Sequence, residues 1–377
     1  MAKRLRVISI FIVIIFLIGA GFFFFHKKQA PIKLGFSAGL LGLKSELGVS
    51  GRNGVELAVE EINLAGGIKG QKLELVVAND GNNSRAALEA DRQLTQMGAK
   101  VIIGHMVSGV GKSTVKYANE KQFLLVSPTI ATEELTGYDD NFIRIIASNS
   151  IQGKSLALAA LQETGVARVA VVYDINNESF AKPIIQSFKQ NTSGSRLLIL
   201  DEMSFSGQYE FGKIIDRIRV DEAEGVLLIA SSLDSGMFCQ QLRKRSLRLQ
   251  VFAPMWTMTN DFLQAGGEDG EGTYFVSQVD LSNQTQYYLR FRENYKNRFG
   301  EEPTFASILS YDATKIAAFG IEEAGNDSAK KIKAAILSRG NFEGLQGQIN
   351  LDAFGDMQCD YYLYRVQSGI FQKVRKL

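Results

Sequence analysis

Residues 53–80 read NGVELAVEEINLAGGIKGQKLELVVAND, and this stretch decides the fold class. Val55, Ala58, Val59 and Ile62 fall on one helical face, so Asn53–Leu64 is predicted to be an amphipathic helix. Gly66-Gly67-Ile68-Lys69-Gly70 stops it with a turn. Leu73–Ala78 is an apolar run of strand length, and a similar run, Ile32–Phe36, precedes the helix. Strand, helix and strand in that order make a crossover unit, which pairs its strands in parallel.

The same rhythm extends in both directions. Ser84–Met97 and Ser113–Lys121 read as helices, and Val101–Ile103 and Phe123–Val126 as strands. After Arg144 a second series begins. Its helices are expected at Gln152–Thr164, Ala181–Lys189, Phe211–Arg219 and Ser235–Arg245. Its strands are expected at Val169–Tyr173, Arg196–Leu200, Val226–Ala230 and Gln250–Ala253. Three long helical patterns follow at 285–299, 306–324 and 328–338, then strands at 345–350 and 360–366. Two successive α/β series with helices and strands left over predict two lobes that exchange chain. We expect the late helices to return to the first lobe and the last strands to join the second.

Composition narrows the function. The chain has 377 residues, with 42 Lys+Arg against 40 Asp+Glu, so its net charge of +2 gives no electrostatic reason to expect nucleic acid. Its two histidines (His26, His105) and two cysteines (Cys239, Cys359) are too few for a His/Cys zinc site. A Ser–His–Asp hydrolase would have to draw its base from His105. No paired acid/base set stands out, so an enzyme is not expected and no cofactor is called for. Cys239 and Cys359 have two readings, a bridge in an oxidising compartment or two buried thiols. Residues 107–114, VSGVGKST, look like the end of a P-loop, but Met106 stands where the motif needs glycine, so Lys112 reads as a surface helix residue.

The N-terminus is a separate matter. After Lys3, Arg4 and Arg6, Val7–Phe25 runs without a charge (VISIFIVIIFLIGAGFFFF), long enough to span a bilayer. His26-Lys27-Lys28 follows with no small-residue cleavage pattern. Residues 1–31 therefore read as an uncleaved signal anchor, with a cleaved signal as the other reading. The stronger basic flank before the run puts the N-terminus inside and everything from Pro31 onward in the periplasm or cell exterior.

Taken together, NGVELAVEEINLAGGIKGQKLELVVAND (53–80), VIIGHMVSG (101–109), VSPTIATEELT (126–136), FIRIIASNSIQG (142–153), VAVVYDINN (169–177) and SYDATKIAAFGIEEA (310–324) resemble the type I periplasmic binding proteins. The similarity is to the branched-chain amino-acid (Leu/Ile/Val) binding group of ABC transporters, and it covers about residues 32–366. It implies two Rossmann-like lobes with parallel-type sheets joined by a three-crossing hinge, the crossings falling near 145–150, 276–282 and 344–350. Lobe 1 would hold 32–147 and 280–345, and lobe 2 would hold 148–279 and 346–377. It also implies a small-molecule ligand, an amino acid or related carboxylate or amide, bound between the lobes and passed to an ABC permease. A module that reports occupancy to a membrane signalling partner is the alternative.

The resemblance points to particular residues, each with a plainer reading beside it. Ser108 corresponds to the serine that binds a ligand α-carboxylate; it would also serve as an ordinary helix cap. Thr129 and Ala131 lie in the loop that supplies backbone groups to ligand, and Ala131 stands where relatives carry a threonine. Leu47 takes the place of a pocket aromatic. Tyr173, Asp174, Asn176 and Phe180 occupy the stretch of a lid aromatic. After Pro254, where relatives often carry a carboxylate for the ligand ammonium, this chain has Met255 and Trp256, its only tryptophan. Asp234 would supply the missing charge.

Overall fold

The computed structural model describes residues 30–42 and 45–377. The apolar run at 7–25, with its expected anchoring role, lies outside them. Among the described residues, no helix is long and apolar enough to cross a membrane.

The first half builds a five-stranded sheet of β1 (Ile32–Ala38), β2 (Leu73–Asn79), β3 (Val101–Gly104), β4 (Leu124–Ser127) and β5 (Phe142–Arg144). Its order is β2-β1-β3-β4-β5 and every pairing is parallel. The helices between these strands are α1 (Glu46–Leu64), α2 (Ser84–Gln96) and α3 (Ser108–Lys121). The strands read as continuous apolar runs because both sheet faces are covered. Leu34, Phe36, Ile103 and Val126 pack with α1 on one face, while Ile102 and Leu125 pack with α2 and α3 on the other.

After Arg144 the chain runs through α4 (Asn149–Gln162), β6 (Arg168–Asp174), α5 (Glu178–Thr192), β7 (Leu198–Phe205), α6 (Phe211–Val220) and β8 (Gly225–Ile229). It continues through α7 (Ser232–Lys244), β9 (Gln250–Ala253), α8 (Asn260–Gly266) and β10 (Tyr274–Ser277). Three helices follow, α9 (Gln286–Phe299), α10 (Phe305–Ala324) and α11 (Ala329–Arg339). The chain closes with β11 (Asn341–Gly344), β12 (Gly347–Leu351), β13 (Met357–Gln358), β14 (Tyr362–Gln367) and β15 (Ile370–Lys376). The second sheet has seven strands in the order β15-β14-β10-β9-β8-β6-β7. Its β6–β10 pairings are parallel, and β14 and β15 add antiparallel at the edge.

The late helices do pack on the first sheet: Phe291, Tyr295, Ile308, Tyr311, Ile316 and Ile336 share a buried cluster with Leu34 and Phe36. Phe342, Ile349 and Met357 of the three-stranded β11-β12-β13 ribbon belong to that cluster too. The chain reaches the second sheet only at Tyr362. The third passage between sheets therefore falls at 359–361, after the 344–350 implied by the resemblance, because the ribbon's apolar face is buried against the first sheet. The other two passages lie at 145–148 and 278–285. Gln278 ties all three strands of the hinge. Its Oε1 accepts from Ala147 N at 3.1 Å and from Cys359 Sγ at 3.5 Å, and its Nε2 donates to Ile145 O at 3.1 Å.

Two glycines set helix spacing. A Cβ on Gly54 would lie 2.1 Å from Ser307 O, so α1 meets the α10 backbone directly there. A Cβ on Gly153 would lie 2.4 Å from Ile184 O, where α4 crosses α5. Cys239 is buried in the second core and Cys359 is half-buried at the hinge; both are free thiols. Burial pushes each up to about 12, so neither is a ready nucleophile.

Candidate functional site

In each sheet the strand order reverses at one point, between β1 and β3 in the first and between β6 and β8 in the second. Crossovers leave in opposite directions there, which opens a crevice at the carboxyl ends of the strands. The loops from both crevices face each other. Between them lies a cleft lined by residues of both lobes, among them Glu46, Asn82 and Val107 on one side and Asp174, Asn177, Ser232, Trp256 and Asp261 on the other. A second, narrower compartment continues it towards Ser108, Thr129, Gln152, Phe180, Met255 and Phe305. Leu47, Val107, Asn177 and Trp256 line both.

The first-lobe wall is held from beneath by a buried charge network. His105 is fully buried, with Nδ1 2.7 Å from Asp80 Oδ2 and Nε2 3.1 Å from Asp91 Oδ1. Burial by itself would lower the imidazole. The Asp91 and Asp80 carboxylates outweigh it and push it up to about 10, so the ring stays a cation. Both nitrogens are engaged, which removes the one base through which serine-hydrolase chemistry had to pass. The network instead anchors the loop: Asp80 Oδ1 accepts from Asn82 N at 2.8 Å, and His105 O accepts from Ser127 Oγ at 3.0 Å.

Most of the residues singled out from sequence meet at this cleft. Ser108 begins α3, and its Oγ accepts from Ala131 N at 3.2 Å, which leaves its own proton to donate. Thr129 lines the inner compartment, but its hydroxyl is given to Met106 O at 2.8 Å. Asp174 lines the outer compartment while accepting from Asn176 N (2.9 Å) and Nδ2 (2.7 Å), so it caps a turn as well. Phe180 and Trp256 meet edge to face at 5.4 Å between centroids. Met255 is buried beside them, its N donating to Gln152 Oε1 at 3.1 Å. Leu47 forms an aliphatic part of both compartments.

Three expected residues lie away from the cavity. Ala131 is fully buried behind Ser108. Tyr173 points into the second core because side chains alternate along β6, and Lys182 Nζ sits 4.8 Å from its ring centroid. Asp234 lies in the first turn of α7, where it accepts from Ser231 Oγ and Gln208 Nε2, both at 2.8 Å. Its neighbours Ser231, Ser232 and Leu233 face the cleft instead. Lys112 is exposed on α3, away from any phosphate cradle.

Glu46, Asn177 and Asp261 were not anticipated. Glu46 Oε2 accepts from Ser232 Oγ and Thr259 Oγ1, each at 2.9 Å, which joins α1 to the other lobe. Burial raises this carboxyl, the nearby Asp261 adds to the rise, and the two hydroxyls oppose it; the balance is about 7. Asn177 Oδ1 accepts from Gly109 N at 3.0 Å, a second tie between lobes. Capping propensity at Ser45-Glu46 was the available local signal, but its partners Ser232 and Thr259 lie far along the chain.

Fold and cleft together define a two-lobed solute-binding protein. Residues 31–370 match the periplasmic binding protein family, and the chain belongs to it. It is 26% identical over 339 residues to the Leu/Ile/Val-binding protein homolog 3 of Brucella melitensis, covering 89% of this chain and 90% of that one. It is 22% identical to the leucine-, isoleucine-, valine-, threonine- and alanine-binding protein of Pseudomonas aeruginosa, over 92% of each. Among solved structures, it is similar to the branched-chain amino acid transporter substrate binding protein LivJ of Streptococcus pneumoniae in complex with isoleucine. That likeness has a TM-score of 0.84 at 23% identity, over 92% of this chain and 99% of that one. It is also similar to a solute binding protein of an R. palustris ABC transporter in complex with benzoate, with a TM-score of 0.83 at 19% identity, over 92% and 96%.

Proposed function

We propose that this chain captures a small polar solute outside the cytoplasm, encloses it between its lobes and delivers it to an ABC permease, while Val7–Phe25 keeps it at the membrane. One observation carries the reading: a cleft at the facing carboxyl edges of two α/β sheets, lined by polar groups from both lobes and walled in part by Trp256 and Phe180. A cavity of this kind binds through a few placed polar groups and needs no chemistry. Relatives named for leucine, isoleucine, valine, threonine and alanine, and neighbours solved with isoleucine or benzoate, support an amino acid or small carboxylate as ligand. Ser108 would hold the carboxylate through its hydroxyl, at the N-terminus of α3.

The test is a thermal-shift screen of the full chain in detergent against amino acids, amides and aromatic acids. A ligand that binds only the folded state raises the melting temperature by mass action. We expect one class to do so, and Ser108→Ala to weaken it by about 10-fold or more, since a donor to ligand is lost and Ala131 N–H is left unpaired. A shift unchanged in Ser108→Ala refutes the assigned carboxylate position.

A further inference from the structure

A separate cavity lies at the hinge, on the far side of the connecting strands from the cleft. Neighbouring residues mark the division. Ile146 and Gln152 line the inner compartment of the cleft, whereas Ile145 and Ile151 line this cavity. On α10, Phe305 borders the cleft, and Leu309, one turn further on, borders the cavity. Its walls come from both lobes. The first lobe supplies Asp312 and the β11-β12-β13 ribbon, the second supplies Tyr362 and Lys376, and Gln278 and Cys359 of the hinge lie between them.

Two polar groups in this cavity are not used up by the fold. Asp312 is 3% exposed, and a single donor, Leu345 N, serves both of its carboxyl oxygens at 3.1 Å. Gln346 Oε1 accepts from Asp280 N at 2.9 Å, which sets the orientation of the amide. Its Nε2 is buried with no hydrogen-bond partner among the described residues. A buried donor without an acceptor is costly, and a bound molecule in the cavity would complete the set. Gln348, Asn350 and Gln358 add three carboxamides at the more exposed rim. Apart from Asp312, the charged groups on the wall are Asp360 and Lys376, which neutralise each other at 2.5 Å. Burial pushes the Asp312 carboxyl up to about 8, so near neutral pH it holds its proton and both gives and accepts hydrogen bonds. Carboxamides also do both, and so does a hydroxyl group. A carboxylate or ammonium ion entering here would find no free opposite charge, whereas a molecule with several adjacent hydroxyls finds a partner for each.

We propose that this hinge cavity is a second binding site, which takes a small neutral polyol or sugar and favours the closed form of the cleft. The lobes turn about the strands that separate the two cavities, so closing one side widens the other. A molecule seated between the β11-β12-β13 ribbon and β14–β15 resists the narrowing that opening of the cleft requires. Each site then raises the affinity of the other. The site itself stands apart from the solute-capture reading above, and its effect on the cleft rests on that reading.

The experiment is calorimetry and saturation-transfer NMR on the full chain, in a detergent without a sugar head group. The probes are glycerol, sorbitol, myo-inositol, glucose and trehalose, with acetate and methylammonium as charged counterparts. We expect at least one polyol or sugar to bind saturably and both ions to bind at least about 10-fold more weakly. Gln346→Glu keeps an oxygen for Asp280 N and replaces the unpartnered donor. It should weaken the bound probe by about 10-fold or more. Gln348→Trp changes an exposed side chain, fills the rim and should do the same, which keeps the test open if Gln346→Glu does not fold. Small-angle scattering then reads the lobes, and a saturating probe should shift the parent towards the compact form and leave Gln346→Glu unmoved. Failure of every polyol and sugar to bind overturns the site, as does binding that both variants leave within about threefold of the parent. An ion that binds as tightly as any polyol or sugar overturns the ligand class, and scattering unchanged at saturation overturns the coupling to the cleft. None of these outcomes touches solute capture, which the thermal-shift screen tests with other ligands.

Discussion

Glu46→Gln should make the unliganded protein more stable at high pH and leave it unchanged at low pH. The Glu46 carboxyl is largely buried, it accepts two hydroxyl hydrogen bonds at 2.9 Å, and Asp261 lies beside it. Its pKa is held at about 7 against an ordinary 4.5. The folded protein therefore grips this proton more tightly than the unfolded chain. That stabilisation is fully present below pH 4.5, erodes as pH rises through the interval, and is lost above about 7. Its span is about 3 kcal/mol. The glutamine side chain of the variant carries no charge at any pH and keeps an oxygen for Ser232 and Thr259. The difference between variant and parent should thus be near zero at about pH 4 and approach about 3 kcal/mol in favour of the variant at about pH 8. Parting of the lobes hydrates the charged carboxylate without unfolding, so this figure is a ceiling. Urea unfolding followed by circular dichroism at about pH 4 to 8 measures it. His105 and Asp312 also have raised values, but both proteins carry them and their effects cancel in the difference. A difference that stays constant across that range would refute the reasoning.

Two further outcomes follow from packing. Gly54→Ala places a methyl 2.1 Å from Ser307 O, so α1 must move off α10; we expect a loss of about 1–3 kcal/mol in chemical denaturation. Gln278→Ala strips Ala147 N, Ile145 O and Cys359 Sγ of their shared partner at the hinge. It should cost about 1–3 kcal/mol and broaden the distribution of lobe separations seen by small-angle scattering, while unchanged stability and scattering would show that the hinge is tied elsewhere.

Much of the architecture was legible because parallel α/β units carry strong local signals. Apolar runs of strand length alternate with amphipathic helices, and nearly every strand buried on both faces was found that way. The exceptions have physical reasons. The first two turns of α1, with Gly48 and Gly51, have weak helical propensity and read as loop; they are helical because those glycines let α1 press against its neighbours. β5, β10, β11, β13 and β15 escaped for different reasons: the first four are very short, and β15 is a charged edge strand with an exposed pattern. Of the site, Ser108, Thr129, Met255, Trp256 and the Asp174–Phe180 stretch were marked by the family resemblance, which sets them in loops after strands, where open α/β sheets bind ligand.

The sequence by itself determined the fold class, the family, the apolar N-terminal run and the loops that reach the cleft, because each is written in residues close together along the chain. Only the tertiary structure decided which charges those loops carry into the cleft. Asp234, the acid expected there, is turned aside within the first turn of α7 and spent on Ser231 and Gln208. Glu46 and Asp261, far apart in sequence, meet because one comes from each lobe. Hydrophobic periodicity sets which face of an element is buried. It carries no information about how two lobes align, and that alignment brings these two carboxyl groups together.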